Sequence, residues 1–156
     1  HLQAKYEAMR TEALCETYLV DDAEVVLTGY GISSRIARSA VDVLRRQGVK
    51  AGLFRPITLY PFPTCQLRQA AEGRPVVVIE HSCGQYRDDV AFHLGVPAES
   101  LTLVNRMGGI LVTVEQVVEG VTARLSGKCC CCCPEATATP ASGTCDSAPA
   151  CPPVVP

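Results

Sequence analysis

The chain has 156 residues, 47% of them hydrophobic and 19% charged, with a formal net charge of −2. That length supports one domain of ordinary size with a buried core, and the charge balance provides no electrostatic footprint for nucleic acid or an anionic membrane. No apolar run approaches the roughly 20 residues that a helical span needs, and the first residues show neither a basic start nor an apolar signal core, so the chain reads as soluble and unexported, with a cytoplasmic location expected.

His1 to about Glu16 is rich in helix formers, with Leu2, Tyr6 and Met9 on one face. Such a thin stripe predicts a peripheral helix that packs on other material, and an opening inside a helix suggests a piece of something longer. Tyr18-Leu19-Val20 is expected to add a short edge strand before the Asp21-Asp22 turn. Residues 1–20 are therefore read as an N-terminal helix and linker.

Glu24 to Tyr30 is a β-branched run without helical period, and it predicts a strand. Ser33-Ser34 reads as a helix cap, followed by Ile36, Ala40, Val41 and Leu44 on one buried helical face. Gly48 closes that helix. Lys50 to Phe54 reads as a second strand, and Cys65 to Glu72 as a second helix. Between them lies Phe54-Arg55-Pro56-Ile57-Thr58-Leu59-Tyr60-Pro61-Phe62-Pro63, whose three prolines are expected to forbid both a continued strand and a helix. Val76 to Ile79 is an uninterrupted apolar run ending in Glu80, the pattern of a central parallel strand covered on both faces. A loop over 81–85, a helix near Tyr86 to Leu94 and a fourth strand over Leu101 to Val104 follow. After Asn105-Arg106-Met107-Gly108-Gly109, a last helix places Val114, Val117, Val118, Val121 and Leu125 on one stripe.

Four strand–helix units in series imply an α/β fold: a three-layer, open, mostly parallel sheet with helices on both faces, occupying residues 21–126. In such a sheet the carboxyl ends of all parallel strands share one edge. That edge brings together Gly29 to Ser34, Arg55 to Pro63, Glu80 to Gln85 and Arg106 to Gly109.

Gly29-Tyr30-Gly31 lacks the acidic partner of a dinucleotide fingerprint, since the second strand ends in Arg55. A tight turn is the better account. His81 and Cys83 share a loop but show no third residue to orient the imidazole, so no catalytic pair is assigned. Glu80 must be paired or solvated, and a structural ion pair with Arg55 or Arg106 is expected. Seven of the ten cysteines fall in residues 127–156, a Cys/Pro-rich tail expected to be disordered. Within it Cys129, Cys130, Cys132 and Cys133 offer one half of a metal-site spacing with no second spaced pair nearby. A free-standing interaction or metal-binding protein acting through that tail is the alternative reading.

Taken together, Asp22 to Leu27, Tyr30-Gly31, Arg55 to Pro63, Glu80 with Gly84-Gln85 and Asp89-Val90, and Arg106 with Gly108-Gly109 resemble a known family. It is the C-terminal region of the alpha subunit of 2-oxoacid:ferredoxin oxidoreductases, similar in domain type to the transketolase C-terminal domain. The Tyr-Pro-Phe-Pro passage and the Arg-x-Gly-Gly turn resemble most the 2-oxoisovalerate (3-methyl-2-oxobutanoate) branch. The resemblance covers about Asp21 to Leu125 and leaves the tail without a counterpart. It implies a complex that oxidatively decarboxylates a 2-oxoacid, forms an acyl-CoA and passes electrons to ferredoxin. Thiamine diphosphate, magnesium and iron-sulfur clusters are implied for the whole complex and none for this chain. This domain is then expected to be non-catalytic alone and to brace the other alpha-subunit domains and the beta and gamma/delta subunits. Arg55, Pro56, Thr58, Tyr60, Pro61, Phe62, Glu80, Gln85, Arg106, Gly108 and Gly109 are the candidate interface.

Overall fold

The apolar runs pair into one five-stranded sheet: β1 (Cys15–Tyr18), β2 (Val25–Thr28), β3 (Ala51–Pro56), β4 (Val76–Glu80) and β5 (Thr102–Asn105), in the order β1-β3-β2-β4-β5. This computed structural model describes residues 1–127, so the four tail cysteines singled out above lie outside the described residues. The last four strands are parallel, and β1 runs antiparallel along β3.

The pleat divides each central strand between two cores. Val25, Leu27, Val77 and Ile79 face α2 (Gly31–Arg46) and α5 (Val114–Leu125), where Ala37, Ala40, Val41, Leu44, Val117 and Val121 meet them. Val26, Val76, Val78 and Phe54 face α3 (Thr64–Ala71) and α4 (Gln85–Leu94), against Leu67, Ala70, Val90 and Ala91. Burial on both sides is the reason these strands read as unbroken apolar runs. α1 (Leu2–Met9) buries none of its residues, in keeping with its thin stripe.

Several expectations are corrected. The first helix gives way to a single turn over Arg10–Glu12, and the edge strand is Cys15–Tyr18 in place of 18–20. Leu19 breaks that strand with a φ of 52°. The reason for so tight a reversal lies opposite it: a Cβ on Gly52 would stand 2.7 Å from the Leu19 carbonyl oxygen and 2.9 Å from the Val20 Cα. β3 can pass beneath the turn only because residue 52 has no side chain.

β3 also continues through Arg55 to Pro56, where the prolines were expected to stop it. Past Phe54 no β2 residue lies alongside, and Pro56 faces only Cys15 of the edge strand, so its missing N–H deprives β2 of nothing. Ser33 and Ser34 do not cap α2. The helix begins at Gly31 behind Tyr30, and both serines sit inside its first turn. Ile36 is only half-buried while Ala37 is fully buried, and Leu125 is exposed. α5 is opened by a capping box in which the Thr113 side chain accepts from the Gln116 amide and the Gln116 side chain accepts from the Thr113 amide. The Thr113-x-x-Gln116 spacing that signals it is present in the sequence.

Candidate functional site

The carboxyl ends of β2, β3, β4 and β5 lie along one edge, so Gly29, Arg55, Glu80 and Arg106 stand at neighbouring strand tips. Their side chains do not converge on a single centre. Glu80 is 1% exposed, and its Oε2 accepts from the backbone N–H of Tyr86 at 2.7 Å and of Arg87 at 3.3 Å. Those are two of the amides that the first turn of α4 leaves without partners, and the N-cap Gly84 has no side chain to take them. The carboxylate thus fills the capping role from the strand, with its charge at the positive end of the helix dipole. The expected ion pair to Arg55 or Arg106 is absent among the described residues; Arg55 Nη1 pairs with Glu16 at 2.8 Å. Helix amides in place of a guanidinium take one carboxylate oxygen, Oε2, while Oε1 has no partner among the described residues.

Tyr86 continues the lock. Its hydroxyl lies 2.7 Å from Thr28 Oγ1 in the interior, and burial pushes the phenol far above its ordinary range. The Tyr30 ring meets it edge-on, with centroids 5.1 Å apart. β2, β4 and α4 are therefore fastened to one another at the edge.

His81 fastens a second layer. Its Nε2 accepts from the Val112 N–H at 3.0 Å, which leaves the proton on Nδ1 to be donated to Ser33 Oγ at 2.9 Å. The imidazole ties β4 to α2 and to the segment over 106–112, and neither nitrogen remains for Cys83. Sequence reading found no residue to orient this ring because Ser33 lies 48 positions away. Asn105 Nδ2 donates to the Ser82 carbonyl at 2.7 Å and joins the same loop to β5. Gln85 opens α4 and is exposed.

The proline passage folds back on the segment before β1. Thr58 Oγ1 accepts from the Leu14 amide at 2.9 Å and donates to the Pro61 carbonyl at 2.8 Å, while the Ile57 and Thr58 amides donate to the Leu14 carbonyl. The Tyr60–Pro61 bond is cis. Phe62 stacks on His93 with ring centroids 4.2 Å apart, and Thr64 Oγ1 lies 2.8 Å from His93 Nδ1. Burial lowers the proton affinity of that imidazole. Tyr60 is 64% exposed. At the far end of the edge Arg106 is half-buried, and Gly108 and Gly109 both take left-handed backbone, with φ of 85° and 77°. Two such residues in succession require glycine.

What the loops expose is apolar. Tyr30 and Ile32 after β2, Ile57, Leu59 and Tyr60 after β3, and Met107, Ile110 and Leu111 after β5 are each at least 39% exposed. Of these exposed apolar residues only Tyr60 belongs to the candidate interface drawn from the sequence; apolar residues concentrated in strand-end loops were the available signal. Among the described residues no three His, Cys, Asp or Glu side chains group closely enough to hold a metal ion. No helix among them is long and apolar enough to cross a membrane. Glu80, His81, Tyr86 and Thr58 are thus occupied in holding elements together, and the same strand-end loops expose a set of apolar side chains.

A doubly covered, mostly parallel sheet of this order, extended by an antiparallel edge strand, defines an α/β domain of the transketolase C-terminal type. Residues 23–117 match the model of the pyruvate:ferredoxin oxidoreductase core domain II, and the chain belongs to that family. It is 46% identical over 123 residues to the ketoisovalerate oxidoreductase subunit VorB of Methanothermobacter marburgensis, a match that covers 78% of this chain and 34% of that protein. The chain thus spans about a third of the length of that relative. In structure it is similar to 2-oxoglutarate:ferredoxin oxidoreductase from Magnetococcus marinus, solved with 2-oxoglutarate, coenzyme A and succinyl-CoA bound. The TM-score is 0.65 at 22% identity, over 72% of this chain and 20% of that one. A split-gene transketolase, described as an inactive beta4 tetramer, matches with a TM-score of 0.59 at 20% identity, over 72% of this chain and 43% of that one. These two likenesses establish the shared fold.

Proposed function

We propose that this chain is the core-domain-II portion of the alpha subunit of a cytoplasmic 2-oxoacid:ferredoxin oxidoreductase, and that it serves as a non-catalytic brace. Its strand-tip edge docks against the other alpha-subunit domains and the beta and gamma/delta subunits of a complex that decarboxylates a 2-oxoacid to an acyl-CoA and reduces ferredoxin. The observation that carries this reading is the division of labour at the edge. Glu80, His81, Tyr86 and Thr58 spend their hydrogen bonds on internal elements, while Ile57, Tyr60, Ile110 and Leu111 remain exposed. An exposed apolar rim on a rigid frame suits burial against a partner.

The same residues do not fit a thiamine diphosphate–magnesium site or an iron-sulfur cluster. The Glu80 carboxylate is committed to the α4 amides through Oε2, and among the described residues no three His, Cys, Asp or Glu side chains group to hold a metal ion and Cys15, Cys65 and Cys83 are free thiols. A cluster held by protein needs several converging thiolates. Those groups are assigned to other parts of the complex, and no chemical step is drawn through this domain.

The test is reconstitution. The purified chain is mixed with the remainder of the alpha subunit and its partner subunits, and assembly and coenzyme A-dependent reduction of a viologen dye are followed. Assembly should require this chain. Equal assembly and equal activity in its absence would overturn the bracing role.

A further inference from the structure

Beside the docking face, between the N-terminal half of α2 and the β1–β3 margin, lies a cleft of about 270 Å³ lined by Glu16, Tyr18, Arg35, Arg38 and Arg55, among others. Three arginines and one carboxylate line it, an excess of two positive charges among the lining residues. The lone acid is already engaged, because Glu16 accepts from Arg55 Nη1 at 2.8 Å. Arg55 Nε is shielded from solvent and has no acceptor among the described residues.

Arg38 is held in an unusual way. Its guanidinium carbon lies 4.1 Å from the centre of the Tyr18 ring, and the Tyr18 hydroxyl is fixed in turn by donation to Asp42 Oδ1 at 2.9 Å. A cation held on a ring face keeps its in-plane N–H donors free, whereas one held by a carboxylate has spent them. Neither Arg35 nor Arg38 forms an ion pair among the described residues. The cleft therefore combines one guanidinium, that of Arg38, oriented in advance with donors on Arg35 and Arg38 that have no protein acceptor among the described residues. Removal of ordering cost is what raises affinity for a ligand of matching shape.

We propose that this cleft is a binding site for a small polyanion, recognised through phosphate or carboxylate oxygens by the forks of Arg35 and Arg38 with Arg55 behind them. Its volume falls just below the roughly 300 Å³ at which pockets for drug-sized ligands begin, and it suits a compact anion over an extended cofactor. The site is separate from the apolar rim and does not depend on the docking proposal, although Arg55 borders both.

Calorimetric titration of the full chain at low ionic strength with pyrophosphate, and separately with citrate, tests it. Saturable binding at a Kd of about 1 mM or tighter is expected for at least one of them. The tighter ligand identifies the oxygen source, phosphate or carboxylate. Arg35→Gln and Arg38→Gln should each weaken it about 10-fold or more, the scale of a charge-assisted hydrogen bond. Arg46→Gln, an exposed arginine outside the lining, should leave it unchanged. Because Arg35 is exposed, its variant should retain the circular dichroism and thermal midpoint of the parent, and Arg38→Gln should retain the circular dichroism and lose only the small stabilisation of the Tyr18 contact, about 1 kcal/mol or less. No saturable binding of either anion, or equal binding by the Arg35, Arg38 and Arg46 variants, would overturn the proposal.

Discussion

Replacing Glu80 with glutamine separates the helix-capping role of this carboxylate from the ion pair that sequence reading favours. Glutamine keeps an acceptor for the Tyr86 and Arg87 amides and can turn its NH2 towards the position of Oε1, which has no partner among the described residues. What is lost is the charge: the difference between charge-assisted and neutral hydrogen bonds, plus the favourable placement at a helix N-terminus. Each is worth about 1 kcal/mol, so Glu80→Gln should cost about 1–2 kcal/mol. Glu80→Ala removes the acceptor, leaves the buried Tyr86 amide unpaired and opens a cavity; about 3–5 kcal/mol is expected. Urea unfolding followed by circular dichroism gives both values, and the slope with denaturant should not change. The decisive measurement is a double-mutant cycle of Glu80→Gln with Arg55→Ala and with Arg106→Ala. Capping predicts coupling below about 0.5 kcal/mol in both cycles. Coupling above about 1 kcal/mol with either arginine would refute the assignment and restore the ion pair.

Gly52→Ala should destabilise by about 2–3 kcal/mol, read from thermal or urea unfolding, because the new methyl would meet backbone atoms of Leu19 and Val20 that cannot step aside. His81→Ala should cost about 1–3 kcal/mol and raise the hydrogen-exchange rate of the Val112 amide ahead of the rest of the sheet, since that nearly buried N–H loses its acceptor. His93 provides a pH dependence. Burial depresses its folded-state pKa below the ordinary value near 6.5, so the unfolded chain binds the proton more readily than the folded one. Stability should therefore fall as pH drops below about 6.5 and cease to fall once the folded imidazole also protonates; parallel urea melts of His93→Asn should show a shallower slope in that window. Ile57→Asp and Tyr60→Asp, both at exposed positions, should change stability by no more than about 0.5 kcal/mol yet abolish assembly in the reconstitution experiment.

The strands of the central sheet and the edge they share were legible in the chain itself. An unbroken run such as Val76 to Ile79 has only one low-cost environment, the middle of a doubly covered sheet, and successive strand–helix units leave parallel pairing as the way to build it. The Arg55 to Pro63 passage likewise carried much of the resemblance to the family, although its first two residues prove to belong to β3. The partners at the edge were a different matter. Thr28 with Tyr86, Ser33 with His81 and Leu14 with Thr58 are separated by 58, 48 and 44 positions, and no local period encodes such pairs. Glu80 illustrates the limit most plainly. Its burial could be inferred from a run of four apolar neighbours, but whether a guanidinium or the start of a helix would satisfy it depended on where α4 came to rest after a left-handed turn at Gly84. Periodicity reports which side chains must leave water; only closure of the sheet decides which polar groups they carry inward together, because that choice is made by distances between elements that the chain order leaves open.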